Sequence, residues 1–120
     1  MPKRTPRIVL IDKNTALAEA YKDRLALEGL DCLVFERADE AFSYIMRLPC
    51  DLMIVDDYNI ADVNSEDFFD LVSAEPALSV MPIVVLSSNP NYEHREDVSE
   101  YLPKSGYSAA TVISKVKSLI

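Results

Sequence analysis

Asp51-Leu52-Met53-Ile54-Val55-Asp56 is the stretch on which the fold turns. Apolar residues fill the whole interval between two carboxylates. A half-buried strand alternates apolar with polar. This run does not, so it predicts a strand, Asp51–Val55, covered on both faces and central in its sheet. The same form recurs outward along the chain. Arg7–Ile11 carries Ile8-Val9-Leu10-Ile11, Asp31–Phe35 is a shorter run, Pro82–Leu86 carries Ile83-Val84-Val85-Leu86, and Glu100–Leu102 is a short last strand. Pro103 after it suits only a sheet edge, because proline has no N–H to give a neighbouring strand.

Helical patterns fill the intervals. Asn14 or Thr15 caps a helix running to about Glu28, with Leu17, Tyr21 and Leu25 on one face, Ala20 beside them and Gly29 as its stop. Asp39–Leu48 predicts a second helix, apolar at Ala41, Phe42, Ile45 and Met46 and ended by Pro49. Ser65–Ala74 predicts a third, with Phe68, Phe69, Leu71 and Val72 inward. Ser108 opens the last, with Val112, Ile113, Val116 and Leu119 on its buried side. Asn89–Ser99 has only Tyr92 and Val98 as large apolar residues, which predicts a loop or a turn or two of helix at most. Strand and helix alternate, so the chain reads as an α/β protein: βαβ units with right-handed crossovers, and a parallel sheet between two helix layers.

Composition bounds the rest. The 120 residues are read as one domain, 1–120, whole or the front of a longer protein. Apolar residues at 49% and charged residues at 27% are ordinary for a globular fold. A net charge of -8 repels nucleic acid, so direct nucleic-acid binding is not expected; Lys3, Arg4 and Arg7 read as a solvated basic start. No apolar run approaches the ~20 residues of a membrane span. The basic start has no apolar segment behind it to make a secretory signal, so a cytoplasmic location is expected. Cys32 and Cys50 form no CxxC and no Cys/His cluster, so a zinc site is not supported; they read as buried thiols rather than a disulfide.

In an open parallel sheet the carboxyl ends of the strands share one edge, and ligands bind there. Asp12, Asp56, Ser87 and Lys104 each follow a strand. They are therefore expected to meet as two carboxylates, a hydroxyl and an ammonium. Lys13, next to Asp12, adds a second cation.

This ordered set resembles the receiver domain of bacterial response regulators, the CheY-like domain of two-component signalling, over nearly the whole chain. The resemblance implies a flavodoxin-like, doubly wound five-stranded parallel sheet in the order 2-1-3-4-5. It implies that Asp56 is the phosphoacceptor, forming an acyl phosphate. It further implies that the Ser87 hydroxyl bonds a phosphoryl oxygen, that Lys104 pairs with Asp56 or the phosphate, and that Tyr101 is an aromatic switch. Mg²⁺ would be held by Asp12, Asp56 and the backbone carbonyl of Tyr58. The implied partners are a histidine kinase or phosphotransfer protein and a downstream effector protein or domain, with a homodimer left open. No enzymatic activity is implied beyond self-phosphorylation and dephosphorylation at Asp56.

The chain departs from the family in several places. Lys13 replaces the second acid of the family's acidic pair, so Mg²⁺ binding is expected to be weak and phosphotransfer slow or absent. Its ammonium either sits among the acids in place of the ion or points to solvent. Asn59-Ile60 stands for the family's Met-Pro. Lys104-Ser105 stands for Lys-Pro, and since a non-proline cis bond costs roughly 2.5–4 kcal/mol the peptide is expected to be trans. Ser87 to Lys104 is shorter than the family norm by roughly one helical turn, so the family's fourth helix is expected to be short or lost. Asp57 is extra, and strand alternation points it away from Asp56. Two other readings stay open. One is a phosphorylation-independent module of the same fold, working through protein contact. The other is a haloacid-dehalogenase-like phosphatase, for which Asp12, Ser87, Lys104 and Asp56-Asp57 supply the residue types but not the chain order.

Overall fold

Five parallel strands form the middle of the computed structural model, which describes residues 5–56, 65–87, 98–103 and 109–120. They are β1 (Arg7–Ile11), β2 (Asp31–Phe35), β3 (Leu52–Asp56), β4 (Ile83–Ser87) and β5 (Glu100–Pro103), in the order β2-β1-β3-β4-β5. Every neighbouring pair is parallel. Every residue of β3 is buried, as its unbroken apolar run requires. β5 is an outer strand and tolerates Pro103. Both β3 and β4 lie one residue further along than the apolar runs predict, so Asp56 and Ser87 are the last residues of their strands instead of the first beyond them. The chain enters β3 through Asp51, whose Oδ2 accepts the Arg7 N–H at 2.7 Å while its own N–H donates to the Arg7 carbonyl at 2.8 Å.

Four helices cover the sheet: α1 (Thr15–Leu27), α2 (Ala38–Arg47), α3 (Ser65–Ser73) and α4 (Ala109–Leu119). Alternate strand residues feed two separate core layers. Val9, Ile11, Met53 and Val55 pack with α2 and α3; Ile8, Leu10, Leu52 and Ile54 pack with α1 and α4. The Asn14 side chain accepts the Leu17 N–H at 3.2 Å and so caps α1. At the other end Gly29 takes φ +76°, the Gly29 N–H reaches the Ala26 carbonyl and the Leu30 N–H reaches the Leu25 carbonyl, both at 3.0 Å. This paired closure satisfies two orphan carbonyls and seats Leu30 in the same core layer as Leu25.

Several helical positions face elsewhere than the apolar spacing predicts. The buried stripe of α1 is Ala18 and Leu25 with Tyr21 half-buried; Leu17 and Ala20 are exposed. In α2 it is Ala38, Ala41 and Ile45, with Phe42 packed partly against them and Met46 left 42% exposed. In α3, Phe68, Phe69 and Val72 are buried but Leu71 is 53% exposed. The cause is the same each time. A helix resting on a sheet buries a stripe of limited width, and an apolar residue to one side of it stays in water. On α4, Val112, Ile113 and Val116 are buried and Leu119 packs at the margin.

The predicted loop at Asn89–Ser99 lies outside the described residues up to Val98, which is buried in the α2/α3 layer. Asp57, Tyr58, Asn59-Ile60 and Lys104-Ser105 lie outside them too. Among the described residues no helix is long and apolar enough to cross a membrane.

Candidate functional site

β1 and β3 run in register from Ile8 opposite Leu52 to Ile11 opposite Val55. Asp12 follows Ile11 directly and Asp56 follows Val55, so the two acids stand at the same end of adjacent strands, and one strand spacing is about 4.8 Å. Both residues are 0% exposed, and among the described residues they are the buried charged or polar ones. Taking a carboxylate out of water costs free energy unless charge or hydrogen bonds compensate. Two acids side by side in a core are therefore a strong departure from packing logic, and they mark a site.

Asp12 is fixed by its own turn. Its N–H donates to the Phe35 carbonyl at 2.9 Å, continuing the β1–β2 ladder. Its Oδ1 accepts the Asn14 N–H at 2.8 Å. Asn14 thus serves twice, as the cap of α1 and as the backbone donor to Asp12. Only the first role was read from the sequence, although an Asp two residues before such a donor is the signature of an Asx turn. Lys13, at the apex of that turn, is exposed. Of the two sequence readings for its ammonium, this favours solvent over a place among the acids.

Asp56 opposes Leu86, and Ser87, one residue on, opposes Pro103. The edge therefore brings Asp12, Asp56 and the backbone of Ser87 together. The side chains of Ser87 and Tyr101 and all of Tyr58 and Lys104 lie outside what is described; Tyr101 itself pairs with Val85 in β5.

Hard divalent cations take carboxylate oxygens, and Asp12 and Asp56 supply them from adjacent strands, so the pair fits Mg²⁺ in part. Lys13, the residue after Asp12, is exposed and offers no oxygen ligand from its side chain. Among the described residues no group of three or more His, Cys, Asp or Glu gathers. Surface cavities of about 260 Å³ beside Arg24 and Lys117, and about 400 Å³ beside Phe35 and Tyr44, are lined by neither acid. Buried charge, not cavity size, locates the chemistry.

No family model matches the chain, and no curated protein matches it. Solved structures do. A response regulator, TrrA of Thermotoga maritima in complex with Mg²⁺-BeF, superposes with a TM-score of 0.82 at 22% identity, covering 97% of this chain and 100% of that one. An orphan response regulator of H. pylori gives 0.80 at 20% identity, covering 98% of each. The signal receiver domain of a signal transduction histidine kinase from Syntrophus aciditrophicus gives 0.81 at 17% identity, covering 96% and 89%. The fold is that of a response-regulator receiver domain.

Proposed function

We propose that the chain works as a receiver domain of two-component signalling and that Asp56 is its phosphoacceptor. The observation that carries this is the burial of Asp56 at the end of the central strand, one strand spacing from buried Asp12. A carboxylate oxygen of Asp56 attacks the phosphorus of the donor, the new O–P bond forms as the donor's bond breaks, and an acyl phosphate results. The donor is a histidine kinase or a phosphotransfer protein, and the output is an effector protein or domain. Ser87 is the hydroxyl that bonds the phosphoryl group, Lys104 its cationic partner and Tyr101 the residue that reports the change. When bound, Mg²⁺ would neutralise charge on the phosphoryl oxygens; Asp12, Asp56 and the Tyr58 carbonyl would hold it. The cytoplasm is where such a relay operates.

The test is acyl phosphate formation from acetyl phosphate, read by intact mass and by peptide mapping after borohydride reduction. Label on Asp56 that is lost in Asp56→Asn supports the reading. Label that persists in Asp56→Asn removes it. One observation favours the second reading, an interaction module that takes no phosphate: the residue after Asp12 is an exposed lysine. A protein that never takes label yet retains its partners is that module. Turnover of p-nitrophenyl phosphate separates the phosphatase reading from both.

A further inference from the structure

Lys13 is an exposed cation next in sequence to the buried Asp12, and its placement follows from the backbone. The bond from the Asn14 N–H to Asp12 Oδ1 at 2.8 Å closes a turn across Lys13. Asp12 is thereby held in the sheet edge and Lys13 is turned outward. It is exposed and makes no ion pair among the described residues. Asp12 is one residue away, and Asp56 is one strand further, about 4.8 Å. Lysine carries its ammonium on a flexible four-carbon stem, so the charge can swing on side-chain bonds alone.

The resting position has a physical cause. Moving an ammonium out of water to join two carboxylates costs several kcal/mol in desolvation, which solvent exposure avoids. A phosphoryl group alters that balance. It adds negative charge at the strand end, and the added attraction offsets part of the ammonium's desolvation. An opposite charge within ~4–6 Å then favours the charged adduct.

We propose that Lys13 is a phosphoryl-binding residue: its ammonium folds onto the phosphoryl oxygens at Asp56 and supplies positive charge that a divalent cation would otherwise supply. Occupancy of the site by a phosphoryl group then depends on Lys13 more than on Mg²⁺. This rests on the reading of Asp56 as phosphoacceptor. With acetyl phosphate as donor, an Asp56 oxygen forms the O–P bond, the donor's P–O bond breaks and acetate leaves with the electron pair. No proton moves, and the protein gains the charge that Lys13 offsets.

The experiment compares the unmodified chain with Lys13→Ala, Lys13→Arg and Lys13→Asp. Each is incubated with acetyl phosphate in Mg²⁺ or in EDTA and read by intact mass, and Mg²⁺ affinity is measured separately by isothermal titration. The unmodified chain is expected to label slowly and to within about twofold under both conditions. Lys13→Ala should lose about tenfold in EDTA, the effect of one well-placed charge. Lys13→Arg should retain the label. Lys13→Asp should label only with Mg²⁺ and bind Mg²⁺ at least about tenfold more tightly than the unmodified chain. Label that EDTA abolishes in the unmodified chain, with Lys13→Ala labelled equally in Mg²⁺, overturns the inference and leaves Asp56 as phosphoacceptor. No label in any of the four under either condition removes the phosphoacceptor reading and this inference with it.

Discussion

Gly29 occupies a backbone conformation, φ +76°, that L side chains seldom take, and no atom would meet a Cβ built there within 4 Å. The cost of Gly29→Ala is therefore backbone strain alone, about 1–2 kcal/mol. Urea unfolding should show that loss with an unchanged m-value, and no loss would mean the α1 stop does not depend on glycine. The Gly29 stop was legible, and the cap was narrowed to Asn14 or Thr15, because both roles belong to residue types and to neighbours within one turn of helix. The acids were legible as residues that follow apolar strands. Their complete burial was not, because it depends on the strands packed on either side. Lys13 was legible only as an anomaly. Its outward direction comes from a hydrogen bond between Asp12 and Asn14, which composition and periodicity do not encode.

The helices show which part of an amphipathic pattern is reliable. In α3, Phe69 is 0% exposed and Leu71 is 53% exposed, two residues apart in the same apolar cluster. Phe69→Ala should destabilise by about 3–5 kcal/mol, because a large cavity opens against β3 and β4. Leu71→Ala should change stability by about 0.5 kcal/mol or less, as for other exposed sites. Chemical denaturation of the two variants checks this, and equal losses would show that α3 is rotated from the orientation described. The sequence located α3 to within a residue at its C-terminal end but could not choose among Phe68, Phe69, Leu71 and Val72. All four suit a buried face by type, and only the contact with the sheet selects three of them.

At the scale of the whole molecule the sheet divides the core in two, and the two cysteines fall on opposite sides of it: Cys32 packs with the α1/α4 layer, Cys50 with the α2/α3 layer. Both are free, and the Cys50 thiol donates to the Met81 sulfur at 3.2 Å. Burial pushes the Cys32 thiol from its ordinary 9.0 up to about 12 and the Cys50 thiol up to about 11. A thiol whose folded value is raised holds its proton longer in the fold than in the unfolded chain. Its contribution is complete below pH 9 and is lost as pH rises from there through the folded values. The melting temperature should fall above pH 9, and Cys32→Ala with Cys50→Ala should flatten that fall; an unchanged slope would assign it to other groups. Neither thiol should react with iodoacetamide at pH 8 until the protein unfolds.

The apolar runs by themselves determined that this chain makes buried parallel strands alternating with helices, and that Asp12, Asp56 and Ser87 stand at strand ends. They could do so because side-chain period and backbone preference are local properties. The order 2-1-3-4-5 came from resemblance, since hydrophobic period does not name a strand's neighbours. Only the tertiary structure brought Asp12 and Asp56 to the same end of adjacent strands, carried the pairing to Asp56 and Ser87 themselves, sorted the cysteines into separate layers and left Lys13 in water. Each of these depends on which distant segment lies alongside. That choice is made by the fit of two helix layers to one twisted sheet, which is a property of the assembled chain.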